Sequence, residues 1–278
     1  MGSTQKGRLI LIGGREDKEG ECEILRAVVQ AVGGRDGVLA LLAVASRRPE
    51  PIIRDYVRAF SSLGLERIEV LTIDSRQEAF SEQWLQTLRR ANGVFITGGD
   101  QLRLTAVIGG TSLDDLLHQR YAEGLVIAGS SAGASAMTEN MIVGGAGDDS
   151  PEWSNVRMAP GLGFLKGAVV DQHFAQRGRI GRLLGAVAQN PHVLGMGLDE
   201  DTALIVEAGR ACRVLGARTI SFVDGRTSTH SNASEVDTPA PLALWNVTLH
   251  VLPAGYVFDL NDRFPGRPED AETPGGEK

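Results

Sequence analysis

Leu125-Val126-Ile127-Ala128 runs straight into Gly129-Ser130-Ser131-Ala132-Gly133, and small, helix-compatible residues follow. An apolar strand that breaks into Gly-x-Ser-x-Gly and resumes as a helix makes a very sharp turn. The two glycines let the chain reverse tightly enough to push the middle side chain outward. Ser131 is therefore the candidate nucleophile. The N–H groups that open the following helix lack intrahelical acceptors, so the Ala132 N–H is placed to receive an oxyanion.

Working outward from this turn, residues 8–12, 38–44, 68–72 and 94–97 also read as short buried strands. Between them, residues 19–32, 51–63 and 77–91 carry amphipathic helical spacing. Strands alternating with helices at this rhythm imply parallel βαβ units with right-handed crossovers. The expected fold is α/β: three layers, a doubly wound and mostly parallel sheet, helices on both faces. In such sheets reacting groups gather at the carboxyl ends of the strands. Gly13-Gly14, Gly98-Gly99 and the serine turn all fall there. After Gly195 the texture changes to short strands over 203–206, 211–215, 219–223 and 247–252. This predicts an antiparallel, β-rich C-terminal extension of the sheet, or a small flank, within one domain over 7–262. The Gly/Pro/Glu-rich stretch 263–278 is expected to be a disordered tail.

Composition narrows the function. A net charge of -7 argues against nucleic acid as a partner. Two cysteines, Cys22 and Cys212, cannot build a disulfide framework, and no Cys/His spacing suggests a metal site. The longest apolar run, 38–45, is too short to cross a bilayer, and no secretion signal precedes the first strand. A soluble, cytoplasmic enzyme without metal or organic cofactor is the expectation. No GxGxxG or GxxxxGKS pattern follows Gly98-Gly99, which excludes dinucleotide and P-loop readings. The Gly99 N–H instead becomes the second candidate oxyanion donor, beside that of Ala132.

A serine hydroxyl needs a base, and the base needs an orienting group. Of the five histidines, His118 lies on a polar helical stretch, His192 and His230 in turn-like segments, and His250 in an alternating strand. His173 ends the strand-like Ala168-Val169-Val170-Asp171-Gln172, where the site is expected. For the orienting carboxylate, Asp199-Glu200-Asp201 competes with Asp148 and Asp149. In an extended chain Asp199 and Asp201 would share one face and Glu200 the other. Downstream of His173, Arg177, Arg179 and Arg182 accompany an apolar stripe of Ile180, Leu183, Leu184 and Val187. At about 100° per residue, Arg179 and Arg182 fall away from that stripe, and spacing alone favours a solvated basic face. The sharper reading is a carboxylate-binding pocket.

Four separated segments go further together: Thr97-Gly98-Gly99-Asp100-Gln101, Gly129-Ser130-Ser131-Ala132-Gly133-Ala134, Asp171-Gln172-His173-Phe174 with the trailing arginines, and Gly197-Leu198-Asp199-Glu200-Asp201-Thr202-Ala203. In order and content they resemble the cyanophycinases. These belong to a serine peptidase family that also contains dipeptidase E and has a fold like the class I glutamine amidotransferases. The resemblance runs from about residue 7 to about residue 260. It implies hydrolysis of cyanophycin, a poly-aspartate chain with arginine on each β-carboxyl, to β-Asp-Arg dipeptides by a homodimer. It further implies Ser131 as nucleophile, His173 as base and then acid, and Glu200 as the orienting carboxylate. Asp100, Gln101, Asp171, Gln172, Arg177, Arg179 and Arg182 would form the substrate pocket, which reverses the preference on the arginines. Asp100 or Asp171 could meet the substrate guanidinium or could brace the arginines. The alternatives are a dipeptidase E-like or isoaspartyl peptidase acting on short Asp-containing peptides, a glutamine amidase-type domain, and a catalytically inactive binding protein of the same fold.

Overall fold

Alternate residues of the first strand, β1 (Leu9–Ile12), serve two different cores. Leu9 and Leu11 pack on one side of the sheet, Ile10 and Ile12 on the other, as the two-residue period of a pleated strand requires. Both faces are thus apolar, and both are covered by helices. The computed structural model describes residues 7–145, 156–207, 211–236 and 240–269.

β1 is followed by β2 (Val38–Leu42), β3 (Arg67–Leu71), β4 (Gly93–Ile96) and β5 (Val126–Ser130). These five lie parallel in the order β3-β2-β4-β5-β1. Helices α1 (Glu23–Ala31) and α2 (Glu50–Ser62) cover one face through Ile24, Leu25, Val28, Ala59 and Phe60. Helices α3 (Glu82–Arg90), α4 (Gln101–Ile108) and α5 (Ser112–Ala122) cover the other through Leu85, Leu88, Leu104 and Leu117. Each of the Ile, Leu, Val and Phe side chains among them stabilises the fold by about 1.5–3 kcal/mol when fully buried. The layered α/β arrangement is the one the sequence pattern predicts. Among the described residues no helix is long and apolar enough to cross a membrane.

The second half of the chain divides itself. After the short α6 (Ala132–Ala136), β6 (Asn140–Gly144) and β7 (Arg157–Pro160) form a ribbon. Then β8 (Ala168–Gln172), α7 (Ile180–Gln189) and β9 (Leu194–Leu198) lead to β10 (Thr202–Val206), β11 (Ala211–Gly216) and β12 (Thr219–Asp224). The small pair β13 (His230–Ser231) and β14 (Leu244–Trp245) precedes β15 (Thr248–Pro253), β16 (Val257–Asp259) and β17 (Phe264–Gly266). β10, β11, β16 and β17 extend the main sheet antiparallel from β1, giving nine strands. β8, β9, β12 and β15 form a separate four-stranded sheet. The predicted extension and the predicted flank are therefore both present. The two sheets share one core, in which Leu9 and Leu11 cluster with Val170, Met196, Ile220 and Phe222. Phe264–Gly266, inside the stretch expected to be tail, pairs with Val257–Asp259 as an edge strand. That position tolerates Pro265. Residues 270–278 lie outside the described residues, as do Asp148 and Asp149.

Candidate active site

The ends of β1, β5 and β4 stand side by side, so Gly13-Gly14, Ser131 and Gly98-Gly99 converge as the sequence predicts. Ser131 follows β5 with φ 53 and ψ -113, an uncommon conformation for a residue with a side chain. Its N–H donates to the Ile12 carbonyl at 2.9 Å, and its own carbonyl accepts from the Ser135 N–H at 3.1 Å. The turn needs its glycines because strand and helix touch there. A Cβ on Gly129 would sit 2.6 Å from the Gly133 carbonyl carbon, and one on Gly133 2.3 Å from the Ile96 oxygen. The helix behind the serine, α6, has five residues, so its dipole contributes little. What it supplies is the open N–H of Ala132. Gly99, at φ 148, lies on the neighbouring strand end.

His173 arrives from the other sheet, directly after β8 and also at positive φ. Its N–H donates to the Gly13 carbonyl at 2.9 Å, which ties the second sheet to the end of β1. The imidazole Nε2 lies 2.9 Å from Ser131 Oγ, and Nδ1 lies 2.8 Å from Glu200 Oε1. Gly14 makes room for the ring, since a Cβ there would stand 2.4 Å from His173 Cε1. Burial holds the imidazole pKa below its ordinary value. Glu200 opposes that shift, and the nearby charges of Arg177 and Arg179 add to it. The ring is therefore neutral at neutral pH, with Nε2 free to accept the serine proton when Nδ1 carries the hydrogen shared with Glu200.

Three acidic residues compete for His173 in the sequence, and a turn separates them. The segment between β9 and β10 is not extended, with Asp201 at φ 51, so the alternation expected of Asp199, Glu200 and Asp201 does not apply. Asp199 is buried and accepts from the Ala175 N–H and the Thr219 hydroxyl, both at 2.9 Å. Asp201 accepts from the Asp17 N–H at 2.9 Å. Glu200 alone of the three reaches the imidazole, and its backbone N–H donates to Gln176 Oε1 at 2.9 Å.

The arginines differ from the solvated face that spacing favours. α7 begins at Ile180, so Arg177 sits in a preceding 3-10 turn and Arg179 at the helix cap. Ile180, placed on the apolar stripe, is 43% exposed, whereas Arg182 is 8% exposed. The cause is Asp171, a carboxylate 1% exposed at the end of β8, which draws the guanidinium inward. Arg182 grips it bidentately, with Nε at 2.8 Å from Oδ2 and Nη2 donating to Oδ1, and its Nη1 donates to the Gly145 carbonyl. Arg179 Nη1 reaches Asp171 Oδ1 at 3.1 Å and also donates to the side chain and carbonyl of Gln172. Burial, resisted by Asp171, pulls the Arg179 pKa down to about 10. Asp171 thus braces the arginines. Arg177 remains exposed. Asp100 caps α4, accepting from the Leu102 and Arg103 N–H groups, and Gln101 donates to the Ile142 carbonyl at 2.7 Å.

A buried carboxylate at the site escapes sequence reasoning. Glu16, in the loop after β1, is buried and accepts from Ser130 Oγ at 2.8 Å and from the Tyr56 hydroxyl. Lys18 stands 3.5 Å from the same carboxylate and 4.6 Å above the Tyr56 ring. The network fixes the residue next to Ser131. Its sequence signal is slight: a single glutamate two residues beyond Gly13-Gly14.

The arrangement matches what acyl transfer demands: an outward hydroxyl, a neutral base in contact with it, and a carboxylate behind the base. Known proteins agree in kind. Cyanophycinases from Trichormus variabilis and Geminocystis herdmanii are 41% and 38% identical to this chain, over 93% and 94% of its length and 87% and 96% of theirs. A crystal structure of a peptidase from an acI-B1 actinobacterium shares the fold, with a TM-score of 0.65 at 18% identity over 88% of this chain and 98% of that one. The family model described as peptidase family S51 matches residues 9–214, from the first strand of the main sheet through the serine turn, His173 and Glu200. A match of that extent, joined to those identities over almost the whole chain, means that the protein belongs to peptidase family S51.

Proposed function

We propose that this chain is a serine hydrolase of the cyanophycinase type, cutting the poly-aspartate backbone of cyanophycin to β-Asp-Arg dipeptides. One observation carries the mechanism: the unbroken line from Ser131 Oγ through His173 to Glu200, at 2.9 and 2.8 Å. Ser131 Oγ attacks the backbone carbonyl as His173 Nε2 takes its proton. Glu200 holds the Nδ1–H and stabilises the imidazolium that forms. The Ala132 and Gly99 N–H groups receive the oxyanion, and losing one such donor removes about 3 kcal/mol of transition-state stabilisation. His173 then returns the proton to the leaving amine. A water molecule, activated by the same imidazole, frees the acyl group and restores the serine.

Arg177 is an exposed cation available to a substrate carboxylate, with Arg179 beside it. Asp171 and Arg182 hold this edge of the site in shape, and Gln172 continues that frame. Asp100 and Gln101, committed to α4 and to β6, shape the other edge. The shared core of the two sheets supports a single working unit over 7–262. The family resemblance supports a homodimer, and a chain with only two cysteines fits a cytoplasmic setting.

Incubation with insoluble cyanophycin should release β-Asp-Arg, and Ser131→Ala should abolish release while the circular dichroism spectrum stays unchanged. Substantial turnover by that variant, or a fluorophosphonate adduct on another serine, would refute the assignment. Release from short Asp-containing peptides but never from the polymer would move the reading to a dipeptidase.

A further inference from the structure

The cleft that reaches Ser131 is lined by none of Arg177, Arg179 and Arg182. Its walls are Arg15 and Lys18 from the loop after β1 and Ile52, Asp55 and Tyr56 from α2, and it holds about 210 Å³. The three α2 residues are spaced i, i+3, i+4 and so share one helix face. Sites that engulf a drug-sized ligand hold roughly 300–1,000 Å³, so this cleft suits one residue of a longer chain.

Lys18 is held 3.5 Å from Glu16, and the other two charges of the cleft, Arg15 and Asp55, are opposite and open. The Arg15 side chain is 75% exposed, and its Nε stands 3.5 Å from Glu200 Oε1. The Asp55 side chain is 57% exposed, and its ion pair with Arg58 is long, at 3.6 Å, and exposed on both sides. A pair of that kind contributes about 0–1 kcal/mol and leaves the carboxylate available. The helix wall is firm, because the Tyr56 hydroxyl donates to buried Glu16; burial, followed by the Glu16 charge, holds the phenol pKa well above its usual value. Ile52, half-buried on the same helix face, is left to pack against the apolar stem of a long side chain.

We propose that this cleft is a substrate subsite for a single dipolar residue next to the scissile bond, with Asp55 receiving its cationic end and Arg15 its free carboxylate. The assignment rests on the hydrolase reading and deepens it, since an aspartate unit bearing arginine offers both charges at once. Asp55 and Arg15 are then specificity-determining residues outside the line Ser131–His173–Glu200.

The test measures binding apart from turnover. In a Ser131→Ala background, calorimetry compares an oligomer of arginyl-aspartate units with one in which citrulline, a neutral isostere, replaces arginine. The unsubstituted cleft should prefer arginine by about 10-fold, the scale of one charge-assisted hydrogen bond. Asp55→Asn should erase that preference, and Asp55→Lys should invert it. Arg15→Gln should erase the preference for a free α-carboxylate over its carboxamide. Equal arginine-to-citrulline ratios with and without Asp55→Lys would overturn the subsite, whatever the activity. Failure of the hydrolase reading shows separately, as a Ser131-intact protein that releases no product from the polymer.

Discussion

Two groups of charged side chains serve the same site in opposite ways. Near His173, Asp171 and Arg182 are buried, Arg179 is half-buried, and all three commit their hydrogen bonds to one another and to Gly145 and Gln172. Around the cleft, Arg15 and Asp55 are exposed and hold only long contacts with their protein partners. Residue types are nearly the same, so type does not set the role. Burial does. A charge removed from water must be matched by fixed partners, and having matched them it holds geometry. A charge left in water holds nothing in place, but it can exchange its hydration for a ligand.

The contrast breaks first under substitution. Arg182→Ala leaves the Asp171 carboxylate buried with Arg179 as its one remaining guanidinium partner, and removal of one member of a buried pair costs about 3–5 kcal/mol. For a chain of this size each kcal/mol lowers the melting temperature by about 2–4 °C, so a fall of about 10 °C is expected. Arg15→Ala, at an exposed position, should stay within about 0.5 kcal/mol of the parent. Thermal melts that rank the two variants the other way would remove the distinction between framework and recognition. Replacing Asp171 and Arg182 together by Leu and Met removes the bidentate pair but leaves Arg179 without its carboxylate, so only part of the stability should return.

A somewhat smaller effect separates framework from chemistry at Gly14. Gly14→Ala puts a Cβ into the His173 ring from a backbone at φ 103. Displacement of a catalytic group by about 1 Å lowers rate by about 10²-fold. The variant should therefore lose about that factor in kcat/KM. Full activity would mean that the ring does not need the position it occupies. Gly14→Ser should behave alike, since the collision is with Cβ rather than with anything beyond it.

How much of this was readable beforehand follows the range of each interaction. The serine turn is local: an apolar strand, two glycines and a short helix lie within about ten residues, and the structure reproduces them. His173 is legible as the end of a strand. That its strand belongs to a second sheet is not, because residues 168–172 and 194–198 look like those of the first sheet and only long-range pairing separates them. The orienting carboxylate was ambiguous among neighbours in sequence. The turn at Asp201 and the contacts of Asp199 with Ala175 and Thr219 leave Glu200 as the one of those three that faces His173, and these depend on β8 and β12 being in place. The helical wheel failed at Arg182 because it treats any charged side chain as solvent-seeking, whereas a buried aspartate from another element outbids water. Glu16 left no pattern to find. Its partners lie 40 and 114 residues away.

The finest test of the comparison is a titration. His173 feels both kinds of charge: Glu200 holds the proton on, while Arg177 and Arg179 push it off. Burial is the largest influence and lowers the pKa, so the acidic limb of kcat/KM should lie below the ordinary histidine value of 6.5. Activity is then lost as pH falls through that limb, because the protonated ring cannot accept the serine proton. Arg177→Ala removes a repelling charge and should move the limb upward in pH. Glu200→Gln removes the attracting carboxylate and should move it downward, with a large loss of kcat from the lost orientation of the ring. Opposite displacements from two substitutions at one imidazole are hard to produce by general loosening of the fold, which would shift both in the same sense. If both variants moved the limb together, or neither did, the base would be some group other than His173.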